Sequence, residues 1–257
     1  MRNNVKRPVR IFDILLILIA SITVATKSFA KSTEEKIASS GSARVNVLEL
    51  FSSEGCSSCP PADKWVSELK TSEDLFKKFI PIVFHVDYWN DIGWKDGFSS
   101  NLMTRRQQEI ANTWSKPAVY TPGFVFNGKE WREHDVSALS KSSPSPYSIT
   151  LFKLSDGGFV AKVSGLKKAK ASQTYNLKIA KLGMGLETDV ATGENAGEHL
   201  THNFLVLDWS SKSIDATRPQ AAFKLEMPSK GAKKTAVVVW LETSGDPTPV
   251  QATGAFL

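Results

Sequence analysis

The sequence predicts an α/β domain followed by an all-β sandwich of immunoglobulin-like architecture, and three observations carry that expectation. From Val45 to Glu133, apolar runs and helical patterns follow one another as strand, helix, strand, helix, hairpin, the alternation of βα units. At "SKSSPSPY", Ser140 to Tyr147, Ser and Pro replace any period. Beyond it lie about seven short alternating runs separated by Gly, Asp, Ser and Pro, a pattern that fits an antiparallel sandwich. The boundaries that follow are a signal peptide over residues 1–30, a flexible lead-in over 31–43, the α/β domain over 44–143 and the sandwich over 144–257.

The basic start (Arg2, Lys6, Arg7, Arg10) runs into "ILLILIASITVA", and Ser28 and Ala30 stand three and one before a cut after Ala30. That is the plan of a secretory signal peptide, with an apolar run shorter than the roughly 20 residues a membrane helix needs; an uncleaved anchor is the alternative. A periplasmic or secreted protein with no stable membrane insertion after cleavage is expected. Residues 1–30 hold five of the 32 Lys/Arg and one of the 26 Asp/Glu, so the formal charge of +6 falls to +2 without them. The remaining chain mixes both signs throughout, which argues against nucleic acid as a partner.

Structure is expected to begin at Arg44, after the polar, Ser-rich "KSTEEKIASSGSA". "VNVLELF" reads as an apolar strand, and Ala62, Trp65, Val66 and Leu69 fall at i, i+3, i+4 and i+7, one face of a helix. "FIPIVFHVDY" is a second strand, apolar enough to be covered on both faces. "SSNLMTRRQQEIANTW" has a Ser start and helix-forming composition with a thin apolar stripe. Asn127-Gly128 within "GFVFNGKEWRE" marks a hairpin.

The two cysteines, Cys56 and Cys59, lie in "FSSEGCSSCPPADKW" between the first strand and the first helix. As a structural bridge the pair closes only four residues, which the chain-entropy relation values at about 2 kcal/mol, against about 3 for a 15-residue loop. A metal site needs three or four ligands, and His85, His134, His199 and His202 have no convincing ligand spacing to the pair. Haem attachment would need His where Pro60 stands. A copper-type site of the pair with one distant His is the alternative, but no cofactor and no metal site are expected. Redox exchange fits best, because unpaired N–H groups and the positive end of the dipole at a helix start stabilise a thiolate. Cys56 is then the attacking thiol and Cys59 the resolving one, with Ser57 and Ser58 able to donate to the Cys56 sulfur. Pro60 suits a first turn, while Pro61 is expected deep enough to loosen it.

"VLELFSSEGCSSCPPAD", "FHVDYWNDIGWKD", "VYTPGFVFNG" and "GENAGEHLTHN" together resemble the exported, thioredoxin-like bacterial family known as domain of unknown function 1223, over almost the whole chain after residue 30. The resemblance implies an α/β thioredoxin-like first domain. It also implies a cis peptide at Thr121-Pro122 that packs Pro122 beside the cysteines, leaves the Thr121 backbone free to pair with a substrate strand, and denies a metal its ligand positions. By analogy with thioredoxin-like enzymes it implies thiol-disulfide exchange on protein thiols or disulfides, with a further redox partner. Gly55 replaces the Trp such enzymes carry before the first cysteine, and Ser57-Ser58 replaces Gly-Pro, so no reduction potential carries over. Glu49 lies near the position of the buried acid that serves the resolving cysteine.

The remaining candidates each have two readings. Tyr88, Trp89 and Trp94 in "DYWNDIGWKDG" form either a substrate lip or a loop folded onto the core. His85 and Asp87 share one side of a strand by period two, yet structural roles are favoured over a proton relay. His199 and His202, three apart, would bind a metal from a helix; a structural role is favoured, with Gly193 and Gly197 shaping turns. The alternative to an enzyme is an exported adaptor whose disulfide only stiffens the first domain.

Overall fold

The structure, a computed structural model, describes residue 1 and residues 33–168, 172–226 and 231–257. The export segment expected over residues 1–30 lies, beyond residue 1, outside the described residues. Among the described residues no helix is long and apolar enough to cross a membrane.

In chain order the strands and helices are β1 (Glu34–Ser39), β2 (Asn46–Ser52), α1 (Pro60–Glu68), β3 (Phe79–His85), α2 (Asn101–Ala111), β4 (Gly123–Phe126), β5 (Lys129–Glu130) and α3 (Val136–Leu139). They continue as β6 (Ser148–Leu154), β7 (Phe159–Ser164), β8 (Tyr175–Met184), β9 (Leu186–Asp189), β10 (His199–His202), β11 (Leu205–Ile214), β12 (Gln220–Phe223), β13 (Lys234–Thr243) and β14 (Pro249–Phe256). Among the described residues these form three sheets: a mixed eight-stranded one in the order β14-β13-β8-β11-β3-β2-β4-β5, a four-stranded one in the order β1-β6-β7-β12, and the β9-β10 ribbon.

The expected α/β thioredoxin-like domain followed by a separate all-β immunoglobulin-like sandwich is corrected by this topology. The fold is dominated by β-structure, and the two longer helices have only 9 and 11 residues. The first four strands of the large sheet do not close a sheet of their own: β3 pairs in parallel with β2 on one side and meets β11 at Leu205 opposite Val83 on the other. Through β11 the sheet continues into β8, β13 and β14, so hydrogen bonds run across the boundary expected at residues 143 and 144. The Ser/Pro stretch there is sewn down, with the Arg44 amide donating to the Ser143 carbonyl at 2.8 Å and the Ser145 amide to the Ser42 carbonyl at 2.9 Å. Glu34–Ser39, expected in a flexible lead-in, is a strand on the edge of the four-stranded sheet, paired with β6.

Alternation along β13 shows how one strand serves two cores. Ala236, Val238 and Trp240 join the core beneath α1 and α2, while Val237, Val239 and Leu241 join the one shared with the four-stranded sheet. Each fully buried aliphatic side chain contributes about 1.5–3 kcal/mol of transfer free energy, so this strand holds both layers. The hairpin between β4 and β5 turns at Asn127 and Gly128, whose φ values of 51° and 82° are those of a type I′ turn.

Candidate functional site

The strand-to-helix turn that carries the cysteines is built from short backbone bonds. The Cys56 amide donates to the Ser53 carbonyl at 3.2 Å, the Cys59 amide to the Cys56 carbonyl at 3.1 Å, and the Ala62 amide to the Cys59 carbonyl at 2.9 Å, which starts α1. Pro60 and Pro61 occupy the first helical positions, where the N–H groups they lack would be unpaired anyway; Pro61 therefore does not loosen the helix. Cys56 and Cys59 form a disulfide and have no exposed surface. The Ser58 hydroxyl lies 3.4 Å from the Cys56 sulfur.

Two loops close over this turn. At Gly55 an added Cβ would stand 3.1 Å from the Trp89 Cβ, so the absence of a side chain there lets the 88–94 loop approach. Trp89 in turn donates through Nε1 to the Thr121 hydroxyl at 2.8 Å, and the Thr121-Pro122 peptide is cis. From the other side Asn195 donates to the carbonyls of Glu54 (2.7 Å) and Cys56 (3.0 Å), and the Ser57 amide donates to the Glu194 carboxylate at 3.1 Å. Hydrogen bonding from Ser57, first through its side chain and then through this amide, holds the Glu194 carboxyl below its ordinary pKa. Residues 194 and 195 thus roof the disulfide.

Next to the turn lies a buried polar cluster that joins α1, β3, β10 and the two loops. Asp63 accepts from the Ser52 hydroxyl at 2.5 Å, and its other oxygen lies 4.0 Å from His85 Nε2. His85 Nδ1 pairs with Asp96 at 2.7 Å, and Asp96 also accepts from the Glu54 and Phe98 amides. His202 Nε2 meets the Glu54 carboxylate at 3.0 Å, and the other Glu54 oxygen accepts from Trp94 Nε1 at 2.8 Å. The two imidazoles stand edge to face with centroids 4.8 Å apart. Burial opposes charge on His85, but the Asp96 carboxylate and its hydrogen bond, with Asp63 and Glu54, outweigh it and push the ring up to about 9. Asp96 is held down to about 2, because the His85 charge and three hydrogen bonds overcome its burial. Asp63 is raised, first by burial. A cavity of about 570 Å³, lined in part by Ser53, Pro60, Asp63 and His202, opens beside this cluster.

The sequence profile of the protein family of unknown function DUF1223 matches residues 47–242. The chain belongs to this family. Among curated proteins none matches it. An X-ray crystal structure of a protein from Agrobacterium tumefaciens is similar, with 24% identity and a TM-score of 0.52 over 82% of this chain and 94% of that one. HBP35 of Porphyromonas gingivalis is also similar, with 15% identity and a TM-score of 0.54 over 83% of this chain and 75% of its own. At these identities the likeness concerns the fold alone.

In this DUF1223 protein the sequence-derived candidates separate. Trp89, close to Gly55 beside Cys56, donates to the Thr121 hydroxyl, and Pro122 lines a second cavity of about 350 Å³ with Tyr120, Phe124, Trp131, Arg132 and His134. Glu49 is taken by Arg106, which donates to it through Nε at 2.8 Å and Nη2 at 3.0 Å. The Trp side chains of the aromatic loop fold inward onto Thr121 and Glu54 rather than forming a lip. Asp87 accepts from the Thr104 hydroxyl, and the carboxylate paired with His85 is Asp96 instead. His199 and His202 lie on a strand, so a spacing of three puts them on opposite faces: His199 meets exposed Asp189 while His202 turns into the cluster. Sequence reasoning missed Asp63, Glu54, Asp96 and Asn195 as site residues. The only local signal was position, with Glu54 two residues before Cys56 and Asp63 one helical turn after Cys59.

Proposed function

We propose that this chain is an exported thiol-disulfide oxidoreductase acting on protein thiols through Cys56 and Cys59. The observation that carries the reading is the placement of both cysteines of the chain, disulfide-bonded, on the turn that starts α1. A bridge closing so short a ring adds only about 2 kcal/mol to stability, while the helix start favours a thiolate. In the oxidised protein a substrate thiolate attacks the Cys56 sulfur, the Cys56–Cys59 bond breaks, and Cys59 leaves as thiolate. A second substrate thiolate then attacks the mixed disulfide, forming the substrate disulfide and leaving Cys56 and Cys59 as thiols. The reverse sequence reduces a substrate disulfide, with Cys59 resolving the mixed disulfide on Cys56. Because both cysteines are buried at rest, exchange requires the Glu194–Asn195 roof to lift. Thr121 and Pro122, joined to the turn through Trp89, present the neighbouring surface to the substrate backbone. Export rests on the basic and apolar pattern of residues 1–30.

One observation favours a second reading, an exported adaptor with a structural disulfide: neither cysteine has any exposed surface. Thiol trapping separates the two. A Cys59→Ala variant is expected to hold a polypeptide in mixed disulfide with Cys56, and a Cys56→Ala variant to hold none. Equal trapping on both removes the assigned roles, and no trapping on either favours the adaptor.

A further inference from the structure

The donor atoms of Asp63, His85 and His202 all lie within 4.8 Å of one another. His85 Nε2 and His202 Nδ1 are shielded from water and make no hydrogen bond. A buried polar atom left without a partner costs about 1–3 kcal/mol, and here two such nitrogens stand beside one carboxylate.

The far side of each side chain is organised as the outer shell of a metal centre is. His85 Nδ1 is held by the Asp96 carboxylate at 2.7 Å, and His202 Nε2 by the Glu54 carboxylate at 3.0 Å. The second Asp63 oxygen takes the Ser52 hydroxyl at 2.5 Å. Carboxylates on the remote nitrogen of a ligating histidine fix its tautomer and ring orientation and raise its basicity. Asp96 and Glu54 are themselves linked, since Asp96 accepts from the Glu54 amide. Two strands and a helix thus aim two imidazoles and one carboxylate at a common point beside a cavity lined by Asp63 and His202.

We propose that Asp63, His85 and His202 bind one divalent first-row transition metal ion of the zinc type, with a further coordination position open toward the cavity. Two imidazoles and a carboxylate are the donor set of open catalytic zinc sites and of non-haem iron sites, and not of calcium or magnesium, which take oxygen. The 4.0 Å between Asp63 Oδ1 and His85 Nε2 exceeds the roughly 3.4 Å spanned by two donors on a tetrahedral zinc with bonds of about 2.0–2.1 Å. Binding therefore draws the three donors together, by about half an ångström between Asp63 and His85 and by up to about 1.4 Å across the widest gap of the triad. No such ligand spacing was legible along the chain, because the three residues come from positions 63, 85 and 202 on separate elements. The site uses neither cysteine, so it stands or falls independently of thiol exchange.

The test uses the untagged, chelator-stripped full chain with its disulfide intact, titrated with Zn²⁺ alone and, for a visible signature, with Co²⁺ alone. One zinc per chain is expected, with Co²⁺ giving the absorption of a low-coordinate nitrogen and oxygen site. Asp63→Asn and His202→Gln should each weaken zinc binding at least about 100-fold, and Asp96→Asn about 10–100-fold by loosening His85. Since a variant may misfold, the ring-nitrogen NMR signals of His85 and His202 in the unmodified protein provide the second readout, and both should shift on zinc addition. Absence of stoichiometric binding, binding that survives both ligand variants, or bound zinc that leaves those ring signals in place would each overturn the site.

Discussion

Two buried charged regions, one around Arg106 and one around His85, are finished differently. Around Arg106 every charge is answered: Glu49 takes two guanidinium bonds, Glu242 lies 2.8 Å from Arg106 and 2.8 Å from Lys178, and Trp240 Nε1 donates to Glu242 at 2.8 Å. Burial opposes the Arg106 charge, yet Glu49 and Glu242 hold its pKa above the ordinary value. Around His85 the outer bonds are equally complete, but two ring nitrogens at the centre make no hydrogen bond, His85 Nε2 standing 4.0 Å from the Asp63 carboxylate. A closed network joins β2, β8, β13 and α2 into one unit. An open one beside a disulfide and a cavity keeps capacity in reserve for something that arrives.

The largest test of that contrast is Arg106→Leu, which leaves Glu49 buried without its counter-charge and Glu242 with Lys178 alone. A loss of about 3–5 kcal/mol is expected in denaturant unfolding; a loss under about 1 would mean that the closed network does not hold the sheet together. Next in size is the roof. Asn195→Ala removes two hydrogen bonds, each worth about 1 kcal/mol net, so reduction of the disulfide by a small thiol should speed up about 30-fold. An unchanged rate would mean that the roof does not control access. Gly55→Ala pushes a Cβ to 3.1 Å from the Trp89 Cβ and should cost about 1 kcal/mol, with slower exchange because the Trp89–Thr121 contact shifts. The smallest stability change belongs to the open cluster. Asp63→Asn keeps the shape and a partner for Ser52 while removing a carboxylate that burial disfavours, so stability should stay within about 1 kcal/mol of the parent. A loss as large as that of Arg106→Leu would erase the distinction between the two regions.

What was legible along the chain was whatever local periodicity encodes. The apolar runs of β2, β3 and β13, the i, i+3, i+4, i+7 face of α1 and the Asn127-Gly128 turn are found where the pattern puts them. Pairing was not legible, because nothing local in "HNFLVLDW" says that its strand will meet β3 at Leu205 and carry the sheet into the second half. Glu34–Ser39 reads as polar and loose because an edge strand needs little apolar character of its own; β6 supplies its hydrogen bonds. In the site, the cysteines were readable, since their signal is short and local, whereas the cis Thr121-Pro122 peptide followed from the family resemblance and not from its own residues. Asp96 and His202 were not: each becomes a partner only after the 88–96 loop and the β9-β10 ribbon fold back over α1. The His199/His202 spacing misleads until the strand is known, because period two sends the two rings to opposite faces.

The most direct test of the proposed activity is the reduction potential of the Cys56–Cys59 pair, measured by equilibrating the full chain with glutathione redox buffers and counting free thiols after alkylation. A disulfide made for exchange is expected above about −300 mV, within reach of protein thiol partners. A value below about −300 mV would mark an inert structural bridge and contradict the oxidoreductase reading.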